Sequence, residues 1–211
     1  VLLADDHGLV RDGLRLILAA AGDLAVIGET GSGHEAVKLA VDLSPEVVLM
    51  DVAMPDLNGI EATARLRDHC PGTRVIILSM HATSEHLYRA FEAGASGYVV
   101  KESAGAEVVY AIRAVASGRR WMSPSLADSL RGDTALPASE RAARSPLDRL
   151  SAREREILQL VAEGHSSATI GARLNLSPKT VETYRSRLMA KLGVADLASL
   201  IRFAVVHGLT P

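Results

Sequence analysis

The chain is poor in several features that would place it in a specialised class. Cys70 is the one cysteine among 211 residues, which excludes an internal disulfide and any cysteine-built zinc or iron-sulfur centre. It is expected to be inert filling in a reducing cytoplasm. Aromatic residues make up only 3% of the chain. No apolar run reaches the roughly 18 residues that would span a bilayer, and no basic segment precedes an apolar stretch at the start, so no membrane partner is expected. What is present is ordinary for a packed protein. Hydrophobic residues at 48% and charged residues at 23% exclude a disordered or collagen-like chain. With about 150 residues per domain as a guide, the length admits one large domain or two small ones. The sequence opens inside an apolar run, Val1-Leu2-Leu3-Ala4, so a residue or two of a first strand is expected to have been trimmed.

A net charge of −2 conceals an asymmetry. Residues 1–120 carry 11 Lys/Arg against 16 Asp/Glu, whereas residues 147–211 carry 9 against 6. An acidic front and a mildly basic rear point to two domains with different partners, the rear one suited to a polyanion.

Five short apolar runs, Val1–Ala4, Ala25–Ile27, Val47–Met50, Val75–Leu78 and Tyr98–Val100, predict buried strands. Between them the apolar spacing is helical, as in Val10, Leu14, Ile17, Leu18 and Ala21. This repeated βα pattern predicts a doubly wound, five-stranded parallel α/β sheet, with ligands in the crevice beyond the carboxyl ends of its strands. A fifth helix over about 105–117 closes the first domain, 1–118. Ser123 as N-cap and Pro124 at the first helical position predict a short helix to about Leu130, inside a linker spanning 119–147. From Leu150 the pattern is all helical. Ser151 and Glu154 form a capping box, and further helices are predicted over about 167–174, 178–192 and 196–207. Two short helices joined by Asn175-Leu176-Ser177-Pro178 describe a helix-turn-helix unit in an all-α four-helix domain, 148–211.

Asp5 and Asp6, Asp51, Ser79 and Lys101 all fall just past predicted strand ends, so the fold gathers them on one rim. Carboxylates crowded into one crevice repel one another, a cost that a hard divalent cation removes, and Mg²⁺ suits such oxygen donors.

These residues, with the Asp-x-x-Met-Pro-x-x-x-Gly stretch from Asp51 to Gly59, resemble the receiver domain of two-component response regulators. The resemblance implies phosphorylation of Asp51 by a sensor histidine kinase or a small phosphodonor. It further implies Mg²⁺ held by Asp6, Asp51 and the backbone carbonyl of Ala53, with Asp5 acting through water. Charge neutralisation by the cation and Lys101 is what a phosphoryl transfer to a carboxylate needs. Met54, Pro55 and Gly59 have structural roles. Ser79 and Tyr98 are the pair that would couple the phosphoryl group to a distant face. His81 could also reach the site.

The rear domain is similar to the LuxR-type helix-turn-helix, through residues 150–158, 161–164, 176–181 and 191–194, so the whole chain resembles the NarL/FixJ family. Ser167-Ala168-Thr169-Ile170-Gly171 departs from the family's usual stretch, and Gly171 should cost about 0.8 to 1 kcal/mol of helix propensity relative to Ala. Helical geometry puts Val181, Tyr184, Leu188 and Leu192 on a core stripe. Lys179, Glu182, Thr183 and Ser186 lie opposite, near the end that such proteins point at base edges of double-stranded DNA. Lys179, Arg185, Arg187 and Lys191 suit phosphates, and Thr180 belongs to the same interface. The last helix, through Leu197, Leu200, Ile201, Ala204 and Val205, is the expected seam of a homodimer on paired half-sites. The function expected is a phosphorylation-controlled transcription factor rather than an enzyme. A phosphoaspartyl hydrolase would want an acid where Ala53 stands. A docking module indifferent to phosphate would not need the complete acidic set.

Overall fold

A computed structural model of the chain describes residues 1–80, 84–126 and 145–209. The chain divides into two compact units, residues 1–141 and 142–211.

In the first unit the elements alternate: β1 (Leu2–Ala4), α1 (Gly8–Ala21), β2 (Gly28–Thr30), α2 (Gly33–Leu43), β3 (Val47–Asp51), α3 (Gly59–His69), β4 (Arg74–Ser79), α4 (Ser84–Ala93) and β5 (Gly97–Val100). A 3₁₀ turn (Lys101–Ser103), α5 (Ala104–Ala116) and β6 (Trp121–Met122) follow. All strands are parallel, in the order β2-β1-β3-β4-β5-β6. Helices cover both faces. One core layer includes Met50, Ile77, Leu66 and Tyr98, the other Leu49, Leu78, Leu18 and Ile112. Burial on both faces is why β3 and β4 read as unbroken apolar runs.

Two expectations shift. The second strand lies at Gly28–Thr30 rather than Ala25–Ile27. Of the apolar run only Val26 packs against the core, while Ala25 and Ile27 are exposed. The ladder pairs Leu2 with Gly28, where an added Cβ would come 2.9 Å from Leu43 and 3.0 Å from Leu2. The sheet has a sixth strand, β6, which parallel pairing to Gly97 and Tyr98 adds beyond the five expected. Ser123 extends its hold. The Ser123 N–H donates to the Tyr98 carbonyl at 3.0 Å. Its hydroxyl accepts from the Val100 N–H at 3.1 Å and donates to Glu107 at 2.5 Å. Residues 124–126 are helical; the rest of that expected helix, the core of the linker and His81 lie outside the described residues.

The second unit starts with a 3₁₀ turn (Pro146–Arg149), whose Leu147 is buried in this unit's core, then α6 (Ala152–Ala162), α7 (Ser167–Leu174), α8 (Pro178–Leu192) and α9 (Leu197–Val206). The expected capping box is present, with Ser151 and Glu154 each bonded to the other's backbone. Ser177 caps α8 and Pro178 opens it. Gly171, read from the sequence as a propensity cost, is instead a packing requirement. An added Cβ would sit 2.6 Å from the Leu176 carbonyl oxygen, so only glycine lets the turn between α7 and α8 fold back this closely. Among the described residues, no helix is long and apolar enough to cross a membrane.

Candidate functional site

The parallel register brings the carboxyl ends of β1, β3, β4 and β5 to one edge. Ala4 pairs with Met50, Asp51 with Leu78, and Ser79 with Val100. Asp5, Asp6, Asp51, Ser79 and Lys101 therefore meet on one rim as expected. Asp5 and Asp51 are almost fully buried, and so is Ser79. Lys101 Nζ lies 2.7 Å from Asp51 Oδ2 and 2.9 Å from Asp5 Oδ2. Its own burial would lower its pKa, but these two carboxylates outweigh that and raise it. Asp51 is pushed up to about 6, by burial first and Asp5 second, against the pull of Lys101. Burial and Asp5 thus favour the neutral carboxyl, and Lys101 favours the charged one.

The turn after β3 is tight. Asp51 Oδ1 accepts from the Ala53 N–H at 3.3 Å, and the Gly59 N–H donates to the Val52 carbonyl at 2.9 Å. A Cβ at Gly59 would fall 1.9 Å from the Asp51 carbonyl oxygen, so α3 approaches the acid-bearing strand as only glycine permits. Tyr98 is fully buried. Burial pushes its phenol up to about 12, opposed by a hydrogen bond with Ser79. The two residues expected to work as a pair are therefore in contact.

The residues fit a hard cation. Asp5 Oδ2, Asp6 Oδ1 and Asp51 Oδ2 are out of solvent with no hydrogen bond of good geometry, and Lys101 meets only the first and third, as ion pairs. Ligand atoms of Asp5, Asp6, His7 and Asp51 all lie within 4.8 Å of one another. Buried carboxylate oxygens without such hydrogen bonds are the donors that Mg²⁺ or a similar ion takes. His7, which directly follows the acidic pair, joins this cluster although no motif in the sequence marks it. Arg11, likewise unmarked, donates from its guanidinium to the Asp5 carbonyl.

In the second unit, Val181 and Leu188 on α8 are buried, with Tyr184 and Leu192 packed against the same core. Lys179, Glu182, Thr183, Ser186 and Arg187 are exposed on the other side, with Thr180 and Arg185 partly so. The Thr183 hydroxyl donates to the Lys179 carbonyl at 3.0 Å and the Ser186 hydroxyl to that of Glu182 at 3.2 Å, so both oxygens keep lone pairs with which to accept. Arg185 donates to Ser167 at 3.3 Å. Lys191, expected at a phosphate, is instead bound to Glu154 at 2.7 and 2.8 Å, a link across α6 and α8 that no local spacing signals. The expected seam on α9 is also narrower than its apolar spacing suggested. Leu200 and Ala204 are fully buried in this unit's own core, which leaves Leu197 and Val205 exposed and Ile201 partly so. Val206, outside the expected set, is the most exposed large apolar residue of this helix.

Comparison with known proteins accounts for both units. The response regulator receiver domain matches residues 1–113, and the bacterial regulatory proteins of the luxR family match residues 148–204. The chain belongs to the response regulators. Its relatives include response regulator GacA of Pseudomonas aeruginosa, 40% identical over 99% of this chain and 96% of that one. Response regulator UvrY of Escherichia coli K12 is 38% identical over 99% and 94%. Among solved structures, the RcsB response regulator of Salmonella typhimurium is 27% identical, covers 98% of this chain and 96% of its own, and has a TM-score of 0.67. This response regulator therefore joins a receiver domain to a LuxR-type DNA-binding domain, and one relative, 38% identical over 99% of this chain and 94% of its own, is the transcriptional regulatory protein MctR of Rhizobium johnstonii.

Proposed function

We propose that Asp51 is the phosphoacceptor of this response regulator, charged by a sensor histidine kinase or a small phosphodonor, and that its phosphorylation controls DNA binding by the second unit. One observation carries the reading. Lys101 holds Asp51 and Asp5 together in a buried pocket, so a cation already waits beside the oxygen that would attack phosphorus. Asp6, Asp51 and the Ala53 carbonyl would hold Mg²⁺, with Asp5 acting through water. The metal supplies neutralisation of the phosphoryl charge. Asp51 supplies the nucleophilic oxygen, and Lys101 moves its positive charge from the carboxylate to the incoming phosphoryl oxygens. The Ser79 hydroxyl, in contact with Tyr98, would donate to those oxygens instead, and the change in that contact would pass the signal into β5. The place of action is the cytoplasm.

On DNA, Lys179, Arg185 and Arg187 would meet phosphates, while Glu182, Thr183 and Ser186 would face bases, with Thr180 at the helix start. Lys191 would stay with Glu154. One recognition helix reads too few base pairs to select a genomic site, so a homodimer on paired half-sites is required, with Leu197, Ile201, Val205 and Val206 as the seam. RcsB has been solved as a complex with DNA and as dimers on DNA, which favours this arrangement. The decisive experiment measures intact mass after treatment with Mg²⁺ and an acyl phosphate, and footprints the product on genomic DNA. The expected result is a gain of one phosphoryl group, lost in Asp51→Asn, together with protection of paired half-sites that depends on it. Equal labelling of the variant would refute the assignment.

A further inference from the structure

We infer that His7 is an additional metal ligand of the acidic pocket, making the site prefer first-row transition ions of the Mn²⁺ type over Mg²⁺. The inference rests on the metal-binding reading of the pocket given above.

The geometry is the first support. His7 Nδ1 lies 2.7 Å from Asp6 Oδ1, 3.4 Å from Asp5 Oδ1 and 4.0 Å from Asp51 Oδ2. With bonds of about 2.1 Å, octahedral ligand atoms stand about 3.0 Å apart when adjacent and about 4.2 Å apart when opposite. The imidazole nitrogen thus stands near adjacent spacing from the Asp6 oxygen and near opposite spacing from the Asp51 oxygen, the two carboxylates that would hold the ion.

The second support is what the His7 side chain does not do. It occupies the N-cap of α1, a position where Ser, Thr, Asp or Asn normally bonds the helix backbone. Here the side chain makes no capping bond. The backbone does the anchoring instead. The His7 N–H donates to Asp5 Oδ1 at 2.9 Å, and its carbonyl accepts from the Val10 and Arg11 N–H groups. This fixes the main chain over the pocket and leaves the imidazole to face Asp6, whose Oδ1 is out of solvent and receives no hydrogen bond of good geometry.

Chemistry then sets the selectivity. Mg²⁺ demands oxygen and gains little from a nitrogen, keeping water in that position. Manganese and later divalent ions accept imidazole, increasingly along the series. His7 would therefore strengthen binding of the second group and leave Mg²⁺ almost unaffected.

The test uses the full chain, with Mn²⁺ and Mg²⁺ affinities measured separately by calorimetry for wild type, His7→Gln and Asp6→Asn, and with pulsed EPR of bound Mn²⁺ for nitrogen coupling. His7→Gln is expected to weaken Mn²⁺ about tenfold, to change Mg²⁺ by less than about twofold, and to abolish the nitrogen modulation. Asp6→Asn should weaken both ions. Equal effects of His7→Gln on the two ions, or no nitrogen coupling in wild type, overturn the role of His7 while leaving the oxygen site intact. Failure of wild type to bind either ion, or indifference of both to Asp6→Asn, overturns the metal reading itself.

Discussion

Lys191 and Glu154 are 37 residues apart in sequence, yet both Glu154 carboxylate oxygens take the ammonium of Lys191, at 2.7 and 2.8 Å. The same carboxylate closes the cap of α6 on the Ser151 N–H. Burial would raise the Glu154 pKa, but Lys191 and Ser151 outweigh it and hold it below the ordinary value. A depressed carboxyl contributes stability that is present above its unfolded pKa and lost as pH falls through the folded one. Lys191→Ala should therefore cost roughly 0.5 to 1 kcal/mol near neutrality, the lysine being half-exposed and screened, and less at pH 3. Its salt slope of DNA binding should match wild type. Urea titrations and binding at several salt concentrations check this, and a slope lowered by one would return Lys191 to the phosphates.

Asp51 shows the opposite sign. Its folded pKa is raised to about 6, so the neutral acid suits the fold and the penalty appears as pH climbs from about 4 through 6. Asp51→Asn should stabilise the metal-free protein by about 3 kcal/mol at pH 8 and by almost nothing below pH 4. The chain's one tryptophan, Trp121, lies in β6, and its fluorescence during urea unfolding in EDTA reads the unit concerned. A gain independent of pH would contradict this account.

Gly171→Ala separates propensity from packing. Helix propensity alone promises a gain of about 0.8 to 1 kcal/mol. The approach of the Leu176 carbonyl to within 2.6 Å of the new Cβ predicts a loss instead, on the order of 1 to 3 kcal/mol. Thermal unfolding of the two proteins decides by the direction of the Tm shift.

Glu182 and Arg187 should part company on DNA. Arg187→Ala removes a phosphate partner and should weaken all sequences alike, lowering the salt slope by roughly one. Glu182 is an exposed acid on the same helix, tolerable beside a polyanion only if it reads or excludes a base. Glu182→Ala should tighten nonspecific binding and lose about 1 to 3 kcal/mol of discrimination at one base pair of each half-site. A panel of single-base operator variants shows whether the preference profile changes.

The sequence shows the βα alternation, the strand-end acids and the capping residues because each leaves a local trace: an apolar run, an acid at its end, a Ser before a Pro. It hides what is set by register and by distant partners. Nothing in Ala25-Val26-Ile27 shows that pairing starts only at Gly28. Helical spacing on α9 marks Leu200 and Ala204 as apolar but cannot tell inside from outside, and both are inside. Gly171 looks like a weakness until the carbonyl opposite is in place. Histidine at a loop-to-helix step has no fixed meaning in a sequence, and His7 gains one only from the three carboxylates around it.

The edge formed by Trp121, Met122 and Ser123 has a practical consequence for dissecting this protein. Ser123 grips the backbone of both Tyr98 and Val100, the residues on either side of Val99 and just ahead of Lys101. A fragment ended at Gly118 would lose that grip, bare the outer side of β5 and leave the Glu107 carboxylate without its hydroxyl. Chimeras that graft this input unit onto a foreign output should therefore keep the chain through Leu126.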